Sequence, residues 1–264
     1  MPEPTILDTI IAYKHTEVRE RRARLSQGDL MPDVKYAPPP RDFALALQTP
    51  KIGLVTLIAE VKKASPSAGI IRADFDPVEI AKTYEASGAS CLSVLTDEKF
   101  FQGRDDYLKA VREAVALPII RKDFVVNDWQ IYESRALGAD AVLLIVAALT
   151  PAQIADYQAV AQELGMAALV EVHTEAEMEV ALGANATLIG INSRDLNTFV
   201  TDLGTVERLA AMVPKSVTLV AESGLKTPAD VRRVADAGAK AILVGETLMR
   251  SPDIGAATRA LLKN

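Results

Sequence analysis

The chain has 264 residues, a length that suits one (β/α)8 barrel with extra N-terminal elements; 49% are hydrophobic and only 5% aromatic, so the apolar mass is Ala, Val, Ile and Leu, as in parallel strands packed under helices. Lys and Arg total 29 against 35 Asp and Glu, a formal charge of −6 with no long basic run, which argues against a nucleic-acid partner and leaves any bound anion to a local site. One cysteine (Cys91) and two histidines (His15, His173) exclude a disulfide framework and speak against a metal site, no apolar run approaches the roughly 20 residues of a membrane span, and Met1–Asp8 has no signal-peptide pattern, so the cytoplasm is expected.

Thr5–Leu25 carries Ile6, Ile10, Ile11, Tyr13 and Val18 with Lys, Glu and Arg between them, and reads as an amphipathic helix charged towards its C-terminal end. Asp29–Pro40 holds Pro32, Pro38, Pro39 and Pro40 and reads as a linker that cannot be helical. Arg41–Leu47 reads as a short second helix, which closes an N-terminal extension over residues 1–48.

From Leu54 the pattern changes to short apolar runs alternating with helical segments. The runs are Leu54–Val61, Cys91–Leu95, Pro118–Arg121, Ala141–Val146, Ala167–Val172, Thr187–Ile191, Val217–Ala221 and Ala241–Val244. They are continuous, not alternating, as expected of parallel strands buried on both faces. Asp76-Pro77, Thr150-Pro151 and Thr227-Pro228 each place a capping residue before a first-turn proline. Ala86-Ser87-Gly88-Ala89, Ala136-Leu137-Gly138-Ala139, Ala181-Leu182-Gly183-Ala184 and Asp236-Ala237-Gly238-Ala239 form a weak repeat, each copy ending a helix with a left-handed glycine. Eight units without a Gly-x-Gly-x-x-Gly turn favour an α/β fold of the (β/α)8 TIM-barrel class, one domain over 1–264, above a doubly wound open sheet.

Barrel chemistry sits at the C-terminal strand ends. Strand one ends Glu60-Val61-Lys62, with the two charges on one face; strand three ends Arg121-Lys122-Asp123-Phe124, with Lys122 inward beside Phe124. A lysine desolvated there is expected to have a lowered pKa and to serve as an acid. Strand five ends Glu171-Val172-His173, with His173 read as structural. Strand six ends Asn192-Ser193-Arg194, strand seven Glu222-Ser223-Gly224, and strand eight Gly245-Glu246. Taken alone, each can also be read as a solvated charge or a turn residue. Glu60, Lys62, Lys122, Glu171 and Ser223, however, come from alternate strands, which share layers in a barrel, and loops after strands seven and eight frequently hold phosphate.

Glu60-Val61-Lys62-x-x-Ser65-Pro66-Ser67 resembles the signature of the indole-3-glycerol-phosphate synthase family, as do Arg121–Phe124, Glu171–His173, Ile191–Leu196, Ala221–Gly224 and Leu243–Glu246. The resemblance spans essentially the whole chain. It implies a carboxy-lyase of tryptophan biosynthesis, without metal or organic cofactor, acting on 1-(2-carboxyphenylamino)-1-deoxyribulose 5-phosphate. By that resemblance Lys122 is the acid of ring closure, and Glu60 and Lys62 share the dehydration, with Lys62 also touching phosphate. Glu171 supports charge on the anilino nitrogen or acts as a base, Asn192 holds a substrate hydroxyl and Arg194 the carboxylate. Ser65, Ser223 and the backbone of Gly224, Gly245 and Glu246 bind phosphate, while Phe124 and Phe100 flank the aromatic ring. A monomer is expected, with a small phosphorylated molecule as its partner. Two rivals remain: another phosphosugar barrel, such as the isomerase that supplies this substrate, and a barrel that binds a phosphorylated metabolite without turning it over.

Overall fold

The computed structural model describes residues 4–195 and 200–263; Met1 of the extension and Leu196 of the strand-six motif lie outside them. Eight parallel strands, β1 (Thr56–Val61), β2 (Cys91–Leu95), β3 (Ile119–Lys122), β4 (Ala141–Ile145), β5 (Ala167–Val172), β6 (Leu188–Asn192), β7 (Thr218–Glu222) and β8 (Ala241–Val244), close into a barrel in which β8 pairs back onto β1. Each lies within two residues of the apolar run that predicts it. Leu57, Leu92, Val94 and Ile189 face the surrounding helices, while Ile58, Cys91, Ile120, Leu169 and Val220 fill the interior. Because side chains alternate, the residues two beyond four of these inward positions, Glu60, Lys122, Glu171 and Glu222, also face inward, at the rim.

Three helices precede β1: α1 (Ile6–Arg24), α2 (Gln27–Tyr36) and α3 (Phe43–Ala46). The face that α1 buries is Leu7, Ile10, Lys14 and Val18. Phe43 and Leu47 join the interior cluster from the opposite end, where Leu47 O accepts from the Thr56 hydroxyl at the start of β1. The expected non-helical linker is corrected by α2, which contains Pro32. A capping box between Ser26 and Asp29 starts this helix, and Leu30 seats it against Val126 and the fully buried Trp129. These interactions outweigh the single backbone hydrogen bond that Pro32 cannot donate. Of the expected linker only Ala37–Pro40 is non-helical, and the helix expected over Arg41–Leu47 is α3.

Asp76, Thr150 and Thr227 cap α4 (Pro77–Ala86) and the helices Pro151–Glu163 and Pro228–Asp236, each with proline in the first turn. Gly88, Gly138 and Gly238 take the left-handed conformation, but the third repeat differs: Gly183 stays helical and Asn185, at φ 57°, makes the left-handed step. Asparagine tolerates that region through local hydrogen bonding of its short side chain. Among the described residues no helix is long and apolar enough to cross a membrane.

Candidate active site

The C-terminal ends of the strands open into a cavity of about 790 Å³. Glu60, Lys62, Ser65, Lys122, Phe124, Glu171, Asn192, Arg194, Ser223, Gly224, Gly245 and Glu246 all line it. Phe100 does not. Its ring meets Tyr13 of α1 edge-on at 5.7 Å, and the neighbouring Phe101 lines the cavity and packs 6.0 Å from Phe124. Both belong to the one-turn helix α5 (Glu98–Phe101), where consecutive residues point about 100° apart. Ile6, Leu7 and Ile10 of α1 complete an apolar wall with Leu143 and Ile145.

Lysine–glutamate ion pairs stand in the mouth. Lys62 Nζ lies 2.5 Å from Glu60 Oε2, both groups being largely buried. Lys122 Nζ lies 2.9 Å from Glu171 Oε2 and 3.3 Å from Glu222 Oε2. The expected lowering of the Lys122 pKa is reversed. Burial pulls it down, but the carboxylates of Glu171, Glu222 and Glu60 overcome burial and push it above the usual lysine range. Asn192 donates from Nδ2 to Glu171 Oε1 at 3.0 Å and accepts the Arg194 backbone N–H on Oδ1 at 3.0 Å. Despite its burial, Glu171 is therefore held below the usual carboxylate range by Lys122, with help from Asn192 and Glu222.

Glu222 is the residue that sequence reasoning passes over in favour of Ser223. The signal was available: Glu222 is the face-mate of Val220 and inherits its inward direction. It is 2% exposed, and its Oε1 has no donor among the described residues. Burial raises its pKa most, Lys122 opposes, and Glu171 and Glu60 raise it again, to about 8. Glu222 thus carries a proton around neutrality and hydrogen-bonds Glu171.

Room for the two buried acids comes from glycine on adjacent strands. A Cβ on Gly190 of β6 would stand 2.1 Å from Glu222 Oε1, and one on Gly245 after β8 would stand 2.2 Å from Glu60 Oε2.

The unfolded pKa of Glu222 is near 4.5 and its folded value is about 8, so the folded state binds the extra proton between them. The stability linked to that proton is complete below the lower value and lost as pH rises through the upper one. Glu222→Gln, neutral at every pH, is therefore expected to lose less stability than the wild type between about pH 5 and about pH 8. Urea midpoints across that range test this, and parallel slopes would contradict it.

At the far side of the mouth Ser223 and Gly224 both have positive φ, 66° and 77°, which turns the chain sharply after β7. Arg194 lies among the loops after β1, β6 and β8: it donates to Ser67 Oγ at 3.3 Å, to Thr201 Oγ1 at 3.4 Å and to Glu246 Oε2 at 3.3 Å. Ser65 precedes a tight turn in which its Oγ accepts the Ala68 N–H. His173 Nδ1 lies 2.6 Å from Asn192 O, tying the end of β5 to β6.

Solved structures with this architecture include thiamine phosphate pyrophosphorylase from Pyrococcus furiosus (TM-score 0.60, 17% identity, 79% of this chain and 94% of that one) and a 3-hexulose-6-phosphate synthase (TM-score 0.59, 16% identity, 78% and 98%). At that identity they share the fold alone. Much closer in sequence are the indole-3-glycerol phosphate synthases of Rhodospirillum rubrum, 51% identical over 97% of this chain and 98% of that protein, and of Rhodopirellula baltica, 50% identical over 98% and 99%. The indole-3-glycerol phosphate synthase family itself matches residues 7–261. With alignments that run nearly end to end and a barrel mouth that gathers the acids and lysines of the sequence signature, the chain belongs to the indole-3-glycerol phosphate synthase family.

Proposed function

We propose that the barrel mouth closes the indole ring, converting 1-(2-carboxyphenylamino)-1-deoxyribulose 5-phosphate into indole-3-glycerol phosphate with loss of carbon dioxide and water. The observation that carries this reading is the Lys122 ammonium, held between Glu171 and Glu222 beside an apolar wall. In ring closure the ring carbon bearing the carboxylate attacks the ketone. Lys122, protonated throughout the working range, gives a proton to the oxygen as its charge develops. Glu222, itself protonated near neutrality and 3.3 Å from Nζ, returns a proton to Lys122. Carbon dioxide then leaves the ring carbon and restores its electron pair.

Dehydration needs an acid for the departing hydroxyl and a base for the proton on the carbon next to the anilino nitrogen. The separate Glu60–Lys62 pair supplies both, and Glu171, ionised, supports the positive charge that develops on that nitrogen. Asn192 keeps Glu171 in place and reaches a substrate hydroxyl. Ser65, Ser223 and the backbone of Gly224, Gly245 and Glu246 hold the phosphate with Lys62; Arg194, expected on the carboxylate, joins them because it stands among the same loops, and Phe101 and Phe124 flank the ring. We further read residues 1–264 as one domain that works as a monomer in the cytoplasm. Support comes from α1 at the mouth and α3 at the opposite end, which cover both ends of the barrel from within the chain.

Purified protein mixed with the substrate in metal-free buffer is expected to develop indole absorption and fluorescence. Binding of the substrate without that signal would overturn the reading and leave a phosphosugar site of other chemistry.

A further inference from the structure

The most completely buried charge of the N-terminal extension is Lys14, 1% exposed in the middle of α1. Lysine is almost never that buried unless paired. Its Nζ lies 2.9 Å from Asp97 Oδ2, 2.9 Å from Asp123 Oδ1 and 3.0 Å from Glu17 Oε2. Asp97 and Asp123 are buried as well, at 0% and 4%.

Each partner belongs to an element that delivers a group to the cavity. Asp97 caps α5 by accepting the Phe100 N–H at 2.8 Å, and α5 carries Phe101 into the mouth. Asp123 stands between Lys122 and Phe124; it accepts the Phe124 N–H on Oδ1 and the Thr96 hydroxyl on Oδ2. Lys14 itself sits on the α1 face that bears Leu7 and Ile10, two turns and one turn earlier, which line the cavity. The outer contacts agree: Lys99 Nζ lies 3.8 Å from the centre of the Tyr13 ring, so α1 and α5 also meet outside the ion cluster.

We propose that Lys14 is a positioning residue for the ring-binding half of the mouth: one buried ammonium fixes α1, α5 and the end of β3 relative to one another, and so sets the spacing of Leu7, Ile10, Phe101 and Phe124. The proposal rests on the functional reading above, which puts an aromatic ring against that wall. Electrostatics support the geometry. Burial works against ionisation of both groups, yet the carboxylates lift the Lys14 pKa above its usual range, and Lys14 with Arg121 holds Asp123 at about 2. Lys14 and Asp123 therefore stay ionised at any working pH.

Four of the proposed phosphate residues, Ser223, Gly224, Gly245 and Glu246, stand in the loops after β7 and β8, and none of the four is among the partners of Lys14. Loss of Lys14 should then weaken ligands that carry the ring and spare those that lack it. The test is calorimetric titration of wild type and Lys14→Met with indole-3-glycerol phosphate and, separately, with glycerol 3-phosphate. Affinity for the indole-bearing ligand is expected to fall about tenfold, and that for glycerol 3-phosphate to change less than about twofold. Equal losses for both ligands, or no loss for either, would overturn the proposal and leave Lys14 a purely structural ion. Should Lys14→Met fail to fold, Asp97→Asn decides. Asparagine still caps α5 but removes one arm of the cluster, so the same ring-selective loss is expected in smaller degree, and its absence overturns the proposal. A wild type that binds glycerol 3-phosphate but not the indole-bearing ligand would instead remove the functional reading, and this proposal with it.

Discussion

Lys122→Met is expected to reduce single-turnover ring closure by about a thousandfold while leaving the barrel folded. The ammonium does two things at once. It is the proton donor nearest the reacting oxygen in the proposed mechanism, and it is the charge that lets Glu171 ionise beside Glu222. Without it nothing of that size offsets the burial of the two carboxyl groups, and Glu171 is pushed toward the neutral form that Glu222 already holds. Lys122→Arg separates the two roles. Guanidinium keeps the positive charge and the pairing but does not release a proton in proteins. The arginine variant should therefore keep Glu171 ionised and the fold intact while losing nearly as much activity as the methionine variant. Rapid-mixing measurements at saturating substrate distinguish these, and an arginine variant within tenfold of wild type would mean that charge, not proton donation, is what ring closure requires.

The largest loss of stability is expected from Arg121→Met, about 3–5 kcal/mol, the range found when one partner of a buried ion pair is removed. Arg121 is 2% exposed and faces outward from β3 into the layer between barrel and helices. It donates to Glu133 Oε2 at 2.8 Å, Asp105 Oδ1 at 2.9 Å and Thr96 Oγ1 at 2.9 Å, and lies 3.6 Å from Asp123. Its removal strands Glu133, whose carboxyl burial already pushes upward even with Arg121 and Arg21 present. Arg21 of α1 reaches both Glu133 and Asp105 from outside but is one-third exposed, so it offsets only part of the loss. The shift in urea midpoint measures the effect, and a change below about 1 kcal/mol would show that solvent reaches this layer.

The barrel was legible because its strands are continuous apolar runs and its helices open on capping residues before proline, both local signals. The site was legible where period two could be counted from an apolar face-mate: Ile120 directs Lys122, Leu169 directs Glu171 and Ile58 directs Glu60. The same count applied to Val220 would have reached Glu222, but small residues in the next positions drew the reading to Ser223. Phe100 and Phe101 could not be separated, since a one-turn helix has too few residues to reveal its phase. Lys14 was hidden for a different reason. A lysine amid charged residues reads as solvated, and the two aspartates that bury it lie more than 80 residues further along the chain. Pro32 misled because proline was weighed and the Ser26–Asp29 capping box just before it was not.

The glycines opposite Glu222 and Glu60 carry a consequence for engineering. Each buried carboxylate occupies volume vacated by the adjacent strand, so acid and hole form one unit split across two segments of sequence. Transplanting Glu222 or Glu60 onto another barrel would deliver an acid with nowhere to sit unless Gly190 or Gly245 travelled with it. Conversely, a library that varies one strand at a time would reject larger residues at these glycines for reasons that no property of that strand explains. The vocabulary of substitutions at this mouth is thus written in pairs of neighbouring strands, and a search for new chemistry here should randomise across a hydrogen-bonded ladder, not along it.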